Sequence, residues 1–478
     1  MVQSFTDQGG AASSNPSTLK RWITSKIMQK MVCEERLQRN RSKTERKRVK
    51  RGLHHRVEYY HQVDDAYSHL AAQTLSKLLD SYDIELVPYL AGPPSGGNAP
   101  EPELLLKYAL RDAHSIALHY GLTIPPAATL PKAAHVTLAT RILAVTESSE
   151  FPETAVTVGQ ALWSDSDSEL ESLAKAVGLA DTAATQAAVA AGNERRKKLG
   201  HFSGAMFYYA GEWYWGVDRL YHLENRLLEL GAGKSRNSSP VAPRPEIDCG
   251  TVRDNGSLTL EFYPSLRSPY SSIIFDRTLR LVEESGVKMV MRPVLPMVMR
   301  GVSLTLQKGM YIFSDAAREA RTLGLKWGGF YDPIGNPVRR AFSLYPWARE
   351  QGKDVEFLGG FLKAAFFDAV NTNQDAGLKK VVEDAGLSWQ EAQSIVGNAD
   401  WEEELEENRL AMLNLGIWGV PSYRLFDRDG QEVLSAWGQD RLWLVAREIK
   451  RLLKSQDMEG PHDPDRSSCH PGTVGGDI

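Results

Sequence analysis

Cysteine is scarce in this chain: Cys33, Cys249 and Cys469 are the only three among 478 residues. They are too few and too scattered for a disulfide framework or a CxxC-type metal site. Long apolar runs are missing as well, none approaching the ~18 to 20 residues that a membrane-spanning helix needs. The stretch from Met1 to Lys20 has no apolar core of the signal-peptide kind, so the expected location is cytoplasmic. Neither sign of charge is in excess, since 56 Lys and Arg stand against 60 Asp and Glu. That balance gives no global reason to expect a nucleic-acid partner. Histidine is absent between His222 and His462, which excludes a Ser-His-Asp triad built within that stretch. The cluster His54, His55, His61 and His69 lacks the carboxylate or cysteine spacing of a metal site, and no metal is expected.

What is present is an ordinary globular composition, 42% apolar and 24% charged, in a chain long enough for two or three cores. After a small, polar opening, Leu19, Trp22, Ile23, Ile27, Met28 and Met31 recur at helical spacing among Lys20, Arg21, Lys26 and Lys30. This basic amphipathic helix either docks on the body of the protein or meets an acidic membrane or partner. The basic run from Arg36 to Arg51 has no interleaved aromatics on which bases could stack, and reads as a solvated helix.

An internal repeat organises the rest. Residues 57–68 match residues 260–271 without a gap, and Tyr108, Asp112, Gly121 and Leu122 match Tyr311, Asp315, Gly324 and Leu325. The offsets 261 − 58 and 315 − 112 are both 203. A third match, Tyr214–Leu220 against Ala436–Leu442, closes each copy. The pattern predicts a strand at 258–263, a helix at 271–284, a strand at 287–293, six helical segments between 309 and 415, a hairpin across Arg428-Asp429-Gly430 and a closing helix. That order, βαβ, helical insert, ββα, predicts an α/β protein with two tandem thioredoxin-like domains, each carrying a helical insertion. The expected boundaries are a flexible tail at 1–18, a basic helical segment at 19–52, copies at 53–230 and 255–455, a linker at 231–254 and a disordered tail at 456–478.

Chemistry is expected where the first strand of the second copy hands over to its helix, at Ser268-Pro269-Tyr270-Ser271. A helix start offers unpaired N–H groups and the positive end of a dipole, so Ser268 reads as an N-cap, a donor to a bound anion, or both. Two further elements follow, Val420-Pro421 before a strand and Gly438-Gln439-Asp440-Arg441. With all three in order, the stretch from Ser257 to Leu453 resembles the DsbA-like branch of thioredoxin-fold proteins. Within it, the group of kappa-class glutathione transferases and 2-hydroxychromene-2-carboxylate isomerases is the nearest likeness. The resemblance extends more weakly over Arg56 to Leu230.

The resemblance implies a glutathione-dependent isomerase or transferase acting on a small aromatic or electrophilic compound. Ser268 is then the catalytic donor to the glutathione sulfur. The backbone of Val420 beside cis-Pro421 pairs with the ligand's peptide, and Gln439 and Asp440 hold its charged end. Serines stand at both sulfur positions of the Cys-Pro-x-Cys motif, so thiol–disulfide exchange has no protein thiolate here. A departure from the kappa-class pattern is the absence of Asn from Pro296–Lys308, while Lys308-Gly309-Met310-Tyr311 follows it; Asn336-Pro337 is a candidate substrate contact. The first copy has Asp65 at the position of Ser268 and Ala205 near that of Pro421, and reads as a scaffold. The alternative is a catalytically inactive thioredoxin-like binding or scaffold protein.

Overall fold

The computed structural model describes residues 15–235, 239–302 and 304–459. The expected tail up to Ser14, the centre of the expected linker, and Cys469 with the segment beyond Glu459 lie outside these residues. Two helices, α1 (Thr18–Val32) and α2 (Glu34–Lys50), precede the first sheet. The first unit then runs β1 (His55–His61), α3 (Ala66–Ala72), α4 (Leu75–Ser81) and β2 (Ile84–Leu90). An insert of five helices follows: α5 (Pro102–Ala117), α6 (Ala133–Val145), α7 (Phe151–Trp163), α8 (Asp167–Val177) and α9 (Thr182–Lys198). The hairpin β3 (Met206–Tyr209) and β4 (Glu212–Trp215) and helix α10 (Leu220–Glu229) close the unit.

The second unit repeats this plan with β5 (Thr259–Tyr263), α11 (Pro269–Ser285) and β6 (Lys288–Met291). Its insert is α12 (Leu306–Thr322), α13 (Asn336–Glu350), α14 (Asp354–Phe366), α15 (Asp375–Asp384), α16 (Trp389–Ile395) and α17 (Trp401–Asn414). The hairpin β7 (Ser422–Phe426) and β8 (Glu432–Trp437) leads into α18 (Leu442–Glu459). The sheets have the orders β2-β1-β3-β4 and β6-β5-β7-β8. In each, the first pair is parallel across a helical crossover and the other two pairs are antiparallel.

The repeated residues do the same work in both units. Glu58 and Glu261, buried on the first strand of each sheet, accept hydrogen bonds from Tyr60 (2.7 Å) and Tyr263 (2.6 Å) and are neutralised by Arg195 and Arg292. A buried carboxylate is tolerated only when so satisfied. Asp112 and Asp315 likewise accept from Tyr67 and Tyr270, both at 2.8 Å.

The units meet through those same aspartates. Arg441 of the second unit reaches Asp112 (2.7 and 2.8 Å) and Asp218 (2.8 and 2.9 Å) of the first. Arg219 of the first reaches Asp315 (2.8 Å) and Asp440 (2.7 Å) of the second. Both guanidiniums are 2–3% exposed. Burial pushes the Asp315 carboxyl up, but Arg219 and Arg318 outweigh it and hold the group below its usual range. Trp443 and Leu444 of α18 join the core of the first unit, so the contact is apolar as well as ionic. The chain between the units is also tied down. Glu224 accepts from the backbone N–H groups of Val241 (2.7 Å) and Ala242 (3.1 Å), and Arg244 reaches Glu319 (2.9 Å).

Helix α1 docks on the second unit through Arg21, Ser25 and Gln29 together with the last two residues of its apolar stripe, Met28 and Met31. Arg21, 1% exposed, donates to the carbonyls of Asp332 and Ile334, both at 2.6 Å. Ser25 accepts from the Asp332 N–H (3.0 Å), and Gln29 donates to the Phe330 carbonyl (2.7 Å). Met28 and Met31 pack against the core, whereas Leu19, Trp22, Ile23 and Ile27 face outward. Among the described residues no helix is long and apolar enough to cross a membrane.

Candidate functional site

Strand β5 ends at Tyr263, and the chain turns through Pro264–Arg267 into α11. Ser268 is the N-cap: its Oγ accepts from the Ser271 N–H at 3.1 Å. Pro269 occupies the first helical position, where a missing N–H costs nothing. Gly286 ends the helix at φ 77°, where a Cβ would meet the Asp254 carbonyl oxygen at 2.3 Å. Ser271, fully buried, is structural, because its Oγ accepts from the Ser265 N–H (3.2 Å) and fixes the turn.

The same Ser268 hydroxyl donates across the gap to the Val420 carbonyl at 3.4 Å. The Val420–Pro421 peptide is cis, as the resemblance implied. Gly419 precedes it because the Trp437 indole lies where a side chain would go, with ring atoms 2.2 Å from a Cβ built there. Trp437 is held from the first unit: its N–H donates to the Tyr108 hydroxyl at 2.8 Å, with the ring centroids 5.4 Å apart. Trp418 packs on its other side at 4.8 Å.

Ser268 and Val420 face a pocket of about 410 Å³ with mainly apolar walls, among them Met28, Met297, Phe313, Phe330, Trp418 and Trp437. Its few polar groups are distinctive. The Ser265 hydroxyl is buried there with no hydrogen-bond partner among the described residues. Arg267 is paired with Asp332 at 2.9 Å. Lys308 donates to the Asn98 carbonyl of the first unit (3.1 Å) and, among the described residues, has no carboxylate within ion-pair reach. Burial lowers its pKa.

Gln439 and Asp440 stand elsewhere. They line a separate cavity of about 30 Å³ at the junction of the units, with Asp218, Arg219, Arg244 and Glu319. Asp440 accepts from Arg219 (2.7 Å), and Gln439 donates to Glu319 at 3.2 Å. The structure therefore brings Ser268, Val420 and Pro421 together, and engages Asp440 with Arg219 of the first unit and Gln439 with Glu319 of its own. Asn336 begins α13, and its N–H donates to Asn15 (3.3 Å). Sequence reasoning missed Ser265, Trp437 and Tyr108 as parts of the site. All three had a signal, since each belongs to a matched segment of the repeat.

In the first unit Asp65 takes the place of Ser268 and caps α3, accepting from the N–H groups of Tyr67 (3.3 Å) and Ser68 (3.0 Å). Burial raises its carboxyl to about 6. Ala205 stands where Pro421 does, each receiving through its carbonyl the N–H of the closing glycine, Gly216 or Gly438. Of the cluster His54, His55, His61 and His69, the last three are core groups and His54 is exposed. His55 is bonded to Tyr209 (2.6 Å), His61 to Tyr59 (3.0 Å), and His69 is 2% exposed.

Residues 259–450 match the family model of the DSBA-like thioredoxin domain. Among solved structures, a probable DsbA oxidoreductase from Streptomyces coelicolor is 18% identical, covering 42% of this chain and 91% of its own, with a TM-score of 0.34. A 2-hydroxychromene-2-carboxylate isomerase is also 18% identical, covering 41% and 97%, at 0.35. The cytosolic disulfide reductase DsbM from Pseudomonas aeruginosa, solved with GSH, is 14% identical, covering 42% and 99%, at 0.31. No curated protein sequence matches the chain. The strand order, the cap at the head of α11 and the matched family agree: residues 259–450 form a DSBA-like thioredoxin domain.

Proposed function

We propose that the second unit binds a small thiol of the glutathione type at the head of α11. With it, the unit carries out an isomerase or transferase reaction on a small aromatic or electrophilic compound. The observation that carries this reading is the placement of Ser268: a neutral hydroxyl at the start of a 17-residue helix, beside cis-Pro421, on a largely apolar pocket. Helix dipole and hydroxyl both favour an anion there. Among the described residues no cysteine lines the pocket, so the sulfur comes with the ligand.

The other residues present fit such a ligand. Lys308 supplies a positive charge toward a carboxylate, Ser265 a hydroxyl still in want of a partner, and the Val420 backbone a peptide edge. Gln439 and Asp440 would reach the ligand only by giving up Glu319 and Arg219, so Lys308 takes the carboxylate in this reading. The first unit, with a carboxylate at its helix start and no proline opposite, acts as the scaffold that holds Trp437. Equal strand order and the shared 203-residue offset of the first two matches support the origin of the two units by duplication.

Calorimetry with reduced glutathione, paired with thiolate absorbance against pH, tests the reading. Binding is expected with the ligand thiol pKa lowered by about one unit, ~1.4 kcal/mol of differential stabilisation. Ser268→Ala should remove the pKa shift, and Lys308→Gln should weaken binding without removing it. No binding at millimolar ligand sinks the cofactor assignment and leaves the inactive binding or scaffold protein. Binding with an unshifted thiol leaves a carrier without chemistry.

A further inference from the structure

The outward face of α1 is unlike the rest of the surface. Leu19 is 67% exposed, Trp22 50%, Ile23 44% and Ile27 58%, and Lys20, Lys26 and Lys30 are exposed between them. At 3.6 residues per turn these seven side chains share one arc of roughly 160°. The opposite arc holds Arg21, Ser25 and Gln29, whose bonds to the backbone around Asp332 fix which way the helix faces. A helix free to choose would bury its apolar stripe and leave its arginine in water. Here Arg21 is buried on the docked side with Met28 and Met31, while Leu19, Trp22, Ile23 and Ile27 stay exposed.

We infer that this face of α1 docks on an anionic lipid surface. The interleaved lysines decide between a membrane and a protein partner. Lysine is depleted from the centres of protein–protein interfaces, where its charge must be desolvated. In helices that lie in the plane of a membrane, lysines instead reach up to the headgroups while Trp, Leu and Ile enter the acyl boundary. Attraction to acidic headgroups adds to the buried apolar area. The basic run continues into α2, where Arg36, Arg39, Lys43, Arg46 and Lys47 are exposed. The helix that lies on the lipid is also a wall of the Ser268 pocket, through Thr24 and Met28.

Co-sedimentation of the full chain with vesicles of phosphatidylcholine alone, or mixed with phosphatidylserine, tests this. The expected result is binding to the mixed vesicles only, weakened by salt. Trp22→Ser with Ile27→Ser should lower the partition coefficient by about tenfold or more. Lys20→Gln, Lys26→Gln and Lys30→Gln together should remove the dependence on phosphatidylserine. All five positions are exposed, and circular dichroism checks that the variants keep the wild-type fold and melting temperature. Failure to bind either vesicle, or binding unchanged in the Trp22/Ile27 variant, overturns the inference. So does light scattering that finds a wild-type dimer which the same variant turns into a monomer, because a second copy then covers the face.

Discussion

Ser268 does two jobs with one oxygen: it caps α11 through the Ser271 N–H and faces the pocket opposite Val420. Substitutions can separate the two. Ser268→Ala removes both and is expected to cost about 1 kcal/mol of stability in urea unfolding, together with most of any turnover. Ser268→Asp keeps the cap, as Asp65 does in the first unit, but sets a carboxylate against a bound thiolate. It should retain stability and lose thiol binding, whereas Asp65→Ala leaves turnover nearly intact. Equal losses in the Asp65 and Ser268 variants would contradict this division of labour. His69 makes a second residue-scale test, through pH. Burial lowers its pKa to about 4, from an ordinary value near 6.5, so between these values only the unfolded chain takes the proton. Its contribution to stability is therefore lost as pH falls through the unfolded value. From about pH 7 to about pH 5 the loss is about 2 kcal/mol. His69→Leu should flatten the fall in melting temperature over that window, and a parallel fall in both proteins would refute it.

At the scale of elements, α1 shows where sequence reading reaches and where it stops. Its existence follows from periodicity, as does that of α11 to α18, because a repeating apolar pattern is a local property; the ends follow less well, the helix expected over 354–371 stopping at Phe366. Which arc turns inward is not local. Arg21 turns inward because two carbonyls before α13, over 300 residues away, accept from its Nη1. The pocket divides in the same way. Ser268 and Val420–Pro421 were legible, as motifs tied to a strand end and a helix start. The fate of Gln439 and Asp440 was not, since Arg219 and Glu319 claim them from distant parts of the chain. Arg21→Ala is expected to leave both sheets folded while releasing α1. Hydrogen exchange over residues 18–32 should rise well above that of α11, and unchanged protection would show that Met28 and Met31 suffice to hold the helix.

For the whole molecule the buried charges at the junction decide cooperativity. Removing the Arg441 guanidinium strands Asp112 and Asp218 away from water, at a cost of about 3–5 kcal/mol. In urea unfolding Arg219→Ala is expected to destabilise less than Arg441→Ala, because Asp315 keeps Arg318 at 2.6 Å and Asp440 is partly exposed. Calorimetric unfolding should show one transition in the wild type, since Trp443 and Leu444 of one unit are core residues of the other. Two well-separated transitions would show that the units hold their own stability independently.

The pairing at this junction is a palindrome: arginine to aspartates, then aspartates to arginine, reading alike from either side. A half that carries both words of such a phrase can answer itself. The second unit on its own would have Arg441 without Asp112 and Asp218, and Asp315 and Asp440 without Arg219. Two copies can restore every missing pair by setting the Arg441 of each against Asp315 and Asp440 of the other. A chain cut to residues 239–459 is therefore expected to run as a twofold dimer in light scattering, and Arg441→Ala in that fragment to make it monomeric.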